Sequence, residues 1–450
     1  MLLDMRRQRT QRGEDALVVV VVGAQLEAVA TRHRERDFQR VDRIQAEFAA
    51  EQWSFGLDVL GRDALEVQIA DEQRGQLAFG GSLWRHGGRS DNGTERRTAA
   101  PGRRVYHARP LTGLDRWLSR RVKPSPIHHP LPAAGLRIAY ERHPAHSALL
   151  AADDTLAVIG FGPTAALPED PRCLRVGLRP LADAAPYEVW RTAGRVRFGR
   201  AGAVGWAADE QYLFGALEID EAAHGGILAA TEAAYATLRG FTATSTHPHL
   251  LRIWNYLAAI NEGEGDAERY RQFCTGRSLG MPGVAGAFPA ASAIGRSDGV
   301  HVLQVYWLAA RTPGEPIENP RQTSAWRYPR QYGPTAPTFA RAMRVAGPPA
   351  RLYVSGTAAV VGHASLHPDD AIAQLGESFA NLESLFASAH MPAGLGADSL
   401  LKIYVRRATD APALAAMLDR HLAREVPRLL LLGDICRREL LVEIDGLHAG

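Results

Sequence analysis

Three polar residues, Gln374, Glu377 and Asn381, recur at spacings of three and four in a segment whose pattern predicts a helix. Residues at these spacings share one helical face. The preceding segment, 352–361, predicts a buried strand that ends among small residues. A carboxyl group on such a face can be partly desolvated, which raises its pKa and lets it donate a proton near neutral pH. Glu377 is therefore a candidate general acid, although a solvated helix position is the more common place for a glutamate.

The composition is that of an ordinary globular protein. The chain has 450 residues, of which 46% are hydrophobic and 22% are charged, enough for two or three domains of roughly 150 residues each. The formal net charge of +3 gives no reason to expect a nucleic-acid partner. No apolar run reaches the roughly 20 residues needed to cross a bilayer. We therefore predict a cytoplasmic protein with no membrane partner.

The cysteine and histidine patterns do not indicate a metal site. The three cysteines, Cys173, Cys274 and Cys436, are odd in number and form no CxxC pair. This argues against a disulfide framework and against a zinc ribbon, and it favours a reducing compartment. The histidines contain no HExxH motif, so no metal is predicted.

The chain divides into a poorly patterned beginning and a well-patterned remainder. Residues 1–125 are rich in Arg and show little periodicity. They are interpreted either as a flexible N-terminal extension or as a stretch translated from a start codon placed too early. From residue 126 onward, two halves, 126–310 and 339–450, repeat the order strand, strand, helix, strand, helix, strand. We predict an α/β (α+β) fold in which one chain carries two duplicated mixed-sheet units, each with helices packed on one face.

The connection between the halves, residues 311–338, is rich in Pro, Tyr and Trp. A connection this long within a compact protein is usually functional or disordered. Disordered linkers contain few aromatic residues, so we predict an ordered loop that lines a pocket.

Several segments resemble known proteins. Ser355–Gly356–Thr357–Ala358, followed by Gln374, Asn381 and a closing Leu440–Leu441–Val442–Glu443–Ile444, is similar to the RidA-type fold, whose subunits form trimers with active sites in the clefts between them. The more specific resemblance is to the chorismatases, which carry two RidA-like halves in one chain. It covers roughly residues 130–447. The matching segments are 252–256, 268–277, 289–295, the 319–334 loop, the Glu377 segment and 433–441.

The resemblance implies a reaction. Chorismate carries a ring carboxylate and an enolpyruvyl ether with a second carboxylate. Protonation of the terminal methylene of this ether gives an oxocarbenium ion that water can attack, and the resulting hemiketal collapses to pyruvate and frees the ring fragment. No metal, nucleotide or redox cofactor is needed, so no cofactor is expected. The resemblance assigns the proton donor to Glu377.

The resemblance and the residue types also suggest substrate contacts. The planar guanidinium group of arginine suits carboxylates, so Arg277 is the first candidate, followed by Arg341 and then by Arg252 and Arg437. For each arginine, a surface or interface ion pair is the alternative. Aromatic and small residues would surround the ring, and for Tyr256 core packing is an equal alternative. The further candidates are Tyr332, Tyr256, Gln374, Phe273, Gly283 and Ala358.

The resemblance leaves the ring product open. In some members that form 3-hydroxybenzoate, a cysteine lies shortly before the catalytic glutamate. The stretch 365–376 before Glu377 has none, which puts a thiol-assisted route in doubt. The expected products are pyruvate with 3-hydroxybenzoate, 4-hydroxybenzoate or both, and a dihydroxycyclohexadienoate is the runner-up. A RidA-like imine deaminase and a ligand-binding protein are the remaining alternatives. Monomer and trimer both stay open.

Overall fold

The computed structural model describes residues 135–142, 146–163, 165–181, 187–283 and 286–450, together with the backbone of five strands near the N-terminus. The chain divides into two compact units, 1–106 and 107–450. In the first unit, β1 (Leu2–Arg9) pairs with β2 (Asp15–Val22), and β3 (Leu26–Ala30), β4 (Val67–Asp71) and β5 (Gln76–Phe79) form a second antiparallel sheet. Apart from these five strands, residues 1–125, for which the sequence left two interpretations, lie outside the described residues.

The second unit contains two seven-stranded sheets, and the first is built from the first half of the repeat. Its strands are β11 (Arg197–Ala201), β12 (Val204–Ala208), β13 (Tyr212–Asp220), β14 (His249–Ala258), β15 (Ala290–Arg296), β16 (Val302–Ala310) and β24 (Asp434–Ile435). Their spatial order is β11-β12-β13-β16-β14-β15-β24. Helices α2 (Ile227–Thr244) and α3 (Arg269–Gly280) cover the outer face of this sheet.

The second sheet repeats this plan. Its strands are β9 (Arg179–Pro180), β17 (Glu315–Ile317), β18 (Ala342–Val345), β19 (Arg351–Ala358), β22 (Ser399–Val405), β23 (Arg428–Leu432) and β25 (Val442–Ala449). Their spatial order is β17-β18-β19-β25-β22-β23-β9. Helices α4 (Ala371–Ser388) and α5 (Ala411–His421) pack on its outer face. A short hairpin, β20 (Val360–Val361) with β21 (Ala364–Ser365), precedes α4.

The common strand order confirms the predicted fold class. In each half the last strand inserts between two earlier ones: β16 lies between β13 and β14, and β25 lies between β19 and β22. Each half also has a strand that the periodicity did not predict, β15 or β23, which runs parallel to its neighbour after a helical crossover. The sequence of β15, Ala-Ala-Ser-Ala-Ile-Gly-Arg, has few of the β-branched and aromatic residues that identify strands.

Residues 137–191 differ from the prediction, which included them in the first half. They form a separate four-stranded sheet that carries helix α1 (His146–Ala151). Its strands are β6 (Arg137–Glu141), β7 (Thr155–Phe161), β8 (Cys173–Val176) and β10 (Tyr187–Arg191), in the spatial order β6-β10-β7-β8. Two short strands each pair with a sheet formed mainly by another part of the chain: β9 joins the second seven-stranded sheet, and β24 joins the first.

All three sheets contribute to one central core. Trp190 of the four-stranded sheet, Tyr306 of the first large sheet and Tyr404 of the second are each fully buried in it. Two buried ion pairs also lie between the sheets, Arg252 with Asp445 and Lys402 with Glu188. Burying charges is costly unless they are paired and hydrogen-bonded, so these pairs hold the sheets in one arrangement.

The connection 311–338 is ordered. It contains β17 and two 3-10 turns, Ala325–Arg327 and Arg330–Tyr332. The backbone of Gln322 bridges to Gly362 beside the short hairpin. The first part of the loop is therefore attached to the second half, whereas Arg330 and Thr335 bind Asp266 and Thr275 of the first half.

Replacing Gly215 with Ala should destabilise the fold. Gly215 lies opposite Trp307 in the β13–β16 ladder, and an added Cβ would overlap the indole ring. Overpacking of this kind costs about 1–3 kcal/mol of unfolding free energy, measurable by urea denaturation. Gly240→Ala is the matched control, because its Cβ would meet open space in helix α2 and should stabilise the helix by about 0.5–1 kcal/mol. Equal stability of the two variants would contradict this account.

Candidate active site

A cavity of about 560 Å³ opens between the two halves of the repeat. Its walls come from the start of α3, from the 311–338 loop, from the end of β19 and from residues 436–443. A recess of about 50 Å³ continues inward past Tyr270, Phe339 and Gly356. Clefts between packed elements, with a few convergent polar groups, are the usual form of small-molecule sites.

Glu443 is the acidic group at the junction of the cavity and the recess. It lies on β25 between Ala358 of β19 and Tyr404 of β22, and it is only 5% exposed. Burial raises its pKa to about 8, and the negative charge of Asp445 acts in the same direction. The guanidinium groups of Arg252 and Arg341 act in the opposite direction. The carboxyl group is therefore mostly protonated at neutral pH.

Gly356 provides the space that the carboxyl group of Glu443 occupies. A Cβ at position 356 would overlap Glu443 Oε1, and the same point lies 3.3 Å from Ser292 Oγ. Any side chain here would displace the acid. The segment Ser355–Gly356–Thr357–Ala358 thus makes room for the acid, because Gly356 has no side chain.

Arginines line both compartments. Arg341 of the main cavity donates from Nη2 to the carbonyl oxygen of Thr323 and to the hydroxyl of Tyr328, both at 2.7 Å. Arg277 of the recess donates from Nη2 to Thr338 O at 2.9 Å. The Nε atoms of both side chains are buried without a hydrogen-bond partner in the part of the chain that the structure describes. Both guanidinium groups can therefore still bind an anion.

Tyrosines and a third arginine form one wall of the main cavity. Arg437 lies over the rings of Tyr332 and Tyr328, at 4.0 and 5.0 Å from their centroids. Its Nη1 donates to His363 O at 2.8 Å. Cation–π contacts of this kind hold the guanidinium and the rings together, so this wall combines a flat apolar surface with positive charge.

Cys436 lies in both compartments, seven positions before Glu443. Burial raises the pKa of its thiol to about 12, and the charge that Glu443 carries at high pH acts in the same direction. The side chain is thus a neutral thiol beside a protonated carboxyl group.

Several residues proposed from the sequence meet here. Arg341, Tyr332 and Ala358 line the main cavity, and Arg277 and Phe273 line the recess. The structure brings these five together from separate elements of both halves.

Glu377 is placed differently from the expectation. It forms an ion pair with Arg321, its Oε2 lies 3.4 Å from His367 Nε2, and it is absent from the lining of the cavity and of the recess. Arg321 also binds Asn381 Oδ1 at 2.6 Å, so this polar helix face anchors the loop. The sequence did carry a signal for Glu443, a single acid within the apolar run Leu440–Ile444.

The remaining proposed residues lie outside the lining of both compartments. Gln374 is buried and binds the backbone of Glu439 and Leu441, the segment that leads to Glu443. Arg252 and Tyr256 belong to the buried network between the sheets. Gly283 is exposed, and a Cβ there would lie 2.6 Å from the ring of Phe288.

Comparisons with known proteins show which family this chain is similar to. Residues 188–309 match the family described as "Chorismatase FkbO/Hyg5-like, N-terminal". A protein named 3-hydroxybenzoate synthase from Streptomyces hygroscopicus is 35% identical over 277 residues, which cover 58% of this chain and 80% of the relative. A chorismatase from Streptomyces rapamycinicus is 36% identical over 278 residues, covering 58% and 82%. The chain belongs to the chorismatase family.

A solved structure supports this assignment. A chorismatase crystal structure aligns with a TM-score of 0.63 and 30% identity, covering 70% of this chain and 98% of that one. The expected chorismatase membership is therefore confirmed. Within the described residues, no group of three or more His, Cys, Asp or Glu side chains could hold a metal ion, and no helix is long and apolar enough to span a membrane.

The three cysteines should resist alkylation in the folded protein. The thiols of Cys173, Cys274 and Cys436 each have a pKa raised to about 12 by burial, so about one thiol in ten thousand is ionised at pH 8. Iodoacetamide at pH 8, followed by mass spectrometry, should leave all three unmodified in the native protein. The protein in concentrated urea is the control and should react completely. Rapid labelling of Cys436 in the folded protein would contradict the assigned protonation state.

Proposed function

We propose that this protein converts chorismate to pyruvate and 3-hydroxybenzoate, with Glu443 as the proton donor. The observation that carries the proposal is the nearly buried carboxyl group of Glu443, whose pKa burial raises to about 8, at the junction of two arginine-lined compartments. The names of the relatives, chorismatase and 3-hydroxybenzoate synthase, agree with it. Both halves of the repeat line the cavity, so we infer that one chain carries a complete site.

The first step is transfer of the Glu443 proton to the terminal methylene of the enolpyruvyl ether. A general acid works best when its pKa lies near the operating pH, and a pKa of about 8 meets this condition. After transfer, the carboxylate of Glu443 lies beside the oxocarbenium ion and stabilises its positive charge. The bond between the ether oxygen and the ring carbon then breaks, and this oxygen leaves as the carbonyl oxygen of pyruvate. For 3-hydroxybenzoate, the ring hydroxyl moves to the vacated carbon, and loss of one ring proton to the Glu443 carboxylate makes the ring aromatic and restores the acid.

Arginines of the two compartments suit the two carboxylates of chorismate. Arg277 and Arg341 form no ion pair with a carboxylate in the described ranges, and each retains a free Nε donor. Arg437 adds a third positive charge on the tyrosine wall. Guanidinium groups that lack a carboxylate partner can bind an anionic substrate without first breaking an ion pair.

Cys436 supports 3-hydroxybenzoate as the aromatic product. With Glu443 as the acid, a cysteine does lie shortly before the catalytic glutamate, as in the 3-hydroxybenzoate-forming members that the chain resembles. The absence of a cysteine before Glu377 therefore no longer counts against a thiol-assisted route. Pyruvate and hydroxybenzoate together contain the atoms of chorismate, whereas the dihydroxycyclohexadienoate requires a water. A reducing cytoplasm, which we propose as the compartment, keeps this thiol reduced.

Glu443→Gln should abolish most pyruvate release, and Glu377→Gln should not. Loss of a general acid lowers kcat by about 100-fold or more. In Glu377→Gln, the new amide oxygen can still accept a hydrogen bond from Arg321, so kcat should stay within a few-fold of the wild-type value. Pyruvate formed from chorismate, measured with a coupled lactate dehydrogenase assay, distinguishes the two. The opposite pattern would return the catalytic role to Glu377. A wild-type protein that releases no pyruvate would favour a deaminase or a ligand-binding protein.

Cys436→Ser should change the ring product more than the rate of pyruvate release. In the proposed mechanism, protonation depends on Glu443, whereas the thiol of Cys436, which lines both compartments, acts on the ring fragment after cleavage. Chromatography should show at least a severalfold fall in the share of 3-hydroxybenzoate, with 4-hydroxybenzoate or the dihydroxycyclohexadienoate in its place. Cys274→Ser, at the other cysteine of the recess, is the matched control and should keep the wild-type product. An unchanged product in Cys436→Ser would exclude the thiol-assisted route.

A further inference from the structure

Asp445 lies directly behind the proposed acid. Glu443 and Asp445 are two positions apart on β25, and residues at this spacing point to the same face of a strand. Asp445 is fully buried. Glu443 borders the cavity. Asp445 does not, and it lies deeper in the space between the sheets, where it forms the ion pair with Arg252.

Three strands hold the Asp445 carboxylate in one orientation. Its Oδ2 accepts hydrogen bonds from Ser292 Oγ at 2.8 Å, from the Tyr404 hydroxyl at 2.8 Å and from Arg252 Nη2 at 3.1 Å. Its Oδ1 has no hydrogen-bond partner in the described part of the chain and lies 3.9 Å from Lys402 Nζ. A carboxylate with three donors on one oxygen has little freedom to turn.

Ser292 binds Asp445 and, like Glu443, lies against Gly356. The point where a Cβ of Gly356 would lie overlaps Glu443 Oε1 and is 3.3 Å from Ser292 Oγ. The Ser292 hydroxyl donates its hydrogen to Asp445, so its hydrogen is not available to Glu443. The nearby polar group therefore does not stabilise the ionised form of Glu443.

The charges that face Glu443 come from several elements. Arg252 of β14, Arg341 before β18 and Arg406 after β22 favour its ionised form, whereas burial and Asp445 favour its protonated form. The uncharged thiol of Cys436 and the hydroxyl of Tyr270 complete these surroundings. Asp445 is the negative charge that opposes the three guanidinium groups.

We propose that Asp445 is a positioning residue that, through its fixed charge and its bond to Ser292, keeps Glu443 in the protonated form needed to start each turnover. This inference rests on the proposed function. Asp445 is not among the residues that line the cavity or the recess. It acts only through Glu443, so its effect should appear in the pH dependence of the reaction.

The test compares the wild type with Asp445→Asn. A protonated acid is required, so kcat/KM should be high below the pKa of Glu443 and should fall as the pH rises through about 8. Removing a neighbouring negative charge lowers that pKa, so the fall in Asp445→Asn should move to lower pH by on the order of one unit. Glu188→Gln is the matched control. It removes a buried carboxylate of the same interior network, bonded to Lys402 and Trp190, and should leave the position of the fall unchanged.

A measurement that does not require turnover distinguishes the role of Asp445 from the proposed function. Infrared difference spectroscopy, with Glu443→Gln as the reference, reports the protonated carboxyl group of Glu443 in the resting protein. The wild-type signal should persist through neutral pH, and in Asp445→Asn it should disappear at lower pH. If the wild type releases no pyruvate, the proposed function fails while this titration still tests Asp445.

Two results would overturn the inference. One is an unchanged titration of Glu443 in Asp445→Asn, and the other is a wild-type Glu443 that is already ionised at pH 6. If Asp445→Asn does not fold, Ser292→Ala provides the second variant. It removes a hydrogen bond and keeps the Asp445 charge, so the fall in kcat/KM should stay in place or move to higher pH. A shift to lower pH would contradict the role of the charge.

Discussion

The interior between the three sheets buries ionised side chains, and the protonation of the acid at the site depends on the balance of these charges. Arg252 pairs with Asp445 and Lys402 pairs with Glu188, all almost without exposure. Each unpaired charge in such a place would cost several kcal/mol. Glu443 lies at the edge of the same layer, so the neutral form is the one that the interior tolerates.

The duplicated fold creates this layer and also makes it asymmetric. Each half supplies the same strand order and a pair of helices on the outer face. The first half contributes Tyr270 and Arg277 from α3, and the second contributes Gly356 from β19 and Glu443 from β25. A single site therefore uses different elements of two similar units. The loop 311–338 closes one side with Tyr328 and Tyr332.

The outcome for Glu377 shows how a polar helix face can have a structural role. Gln374, Glu377 and Asn381 do share one face of α4, as their spacing predicts. That face binds the backbone before β25 and the side chain of Arg321 in the loop. The three residues thus position the walls of the site, and the acid that lines both compartments, Glu443, belongs to a strand. Periodicity reports which residues share a face, but it does not report what packs against that face.

The sequence alone determined the duplicated order of strands and helices, because alternating and helical periodicities are local properties of each segment. It also indicated an ordered aromatic loop and arginines suited to carboxylates, among which Arg277 and Arg341 line the site. The tertiary structure decided which acid is desolvated, since burial depends on contacts such as Gly356 against Glu443, 87 positions apart. It also decided that β15 and β23 pair in parallel with their neighbours, and that β9 and β24 each join a sheet formed mainly by another part of the chain. Strand pairing depends on neighbours that are distant in sequence, and local patterns do not contain this information.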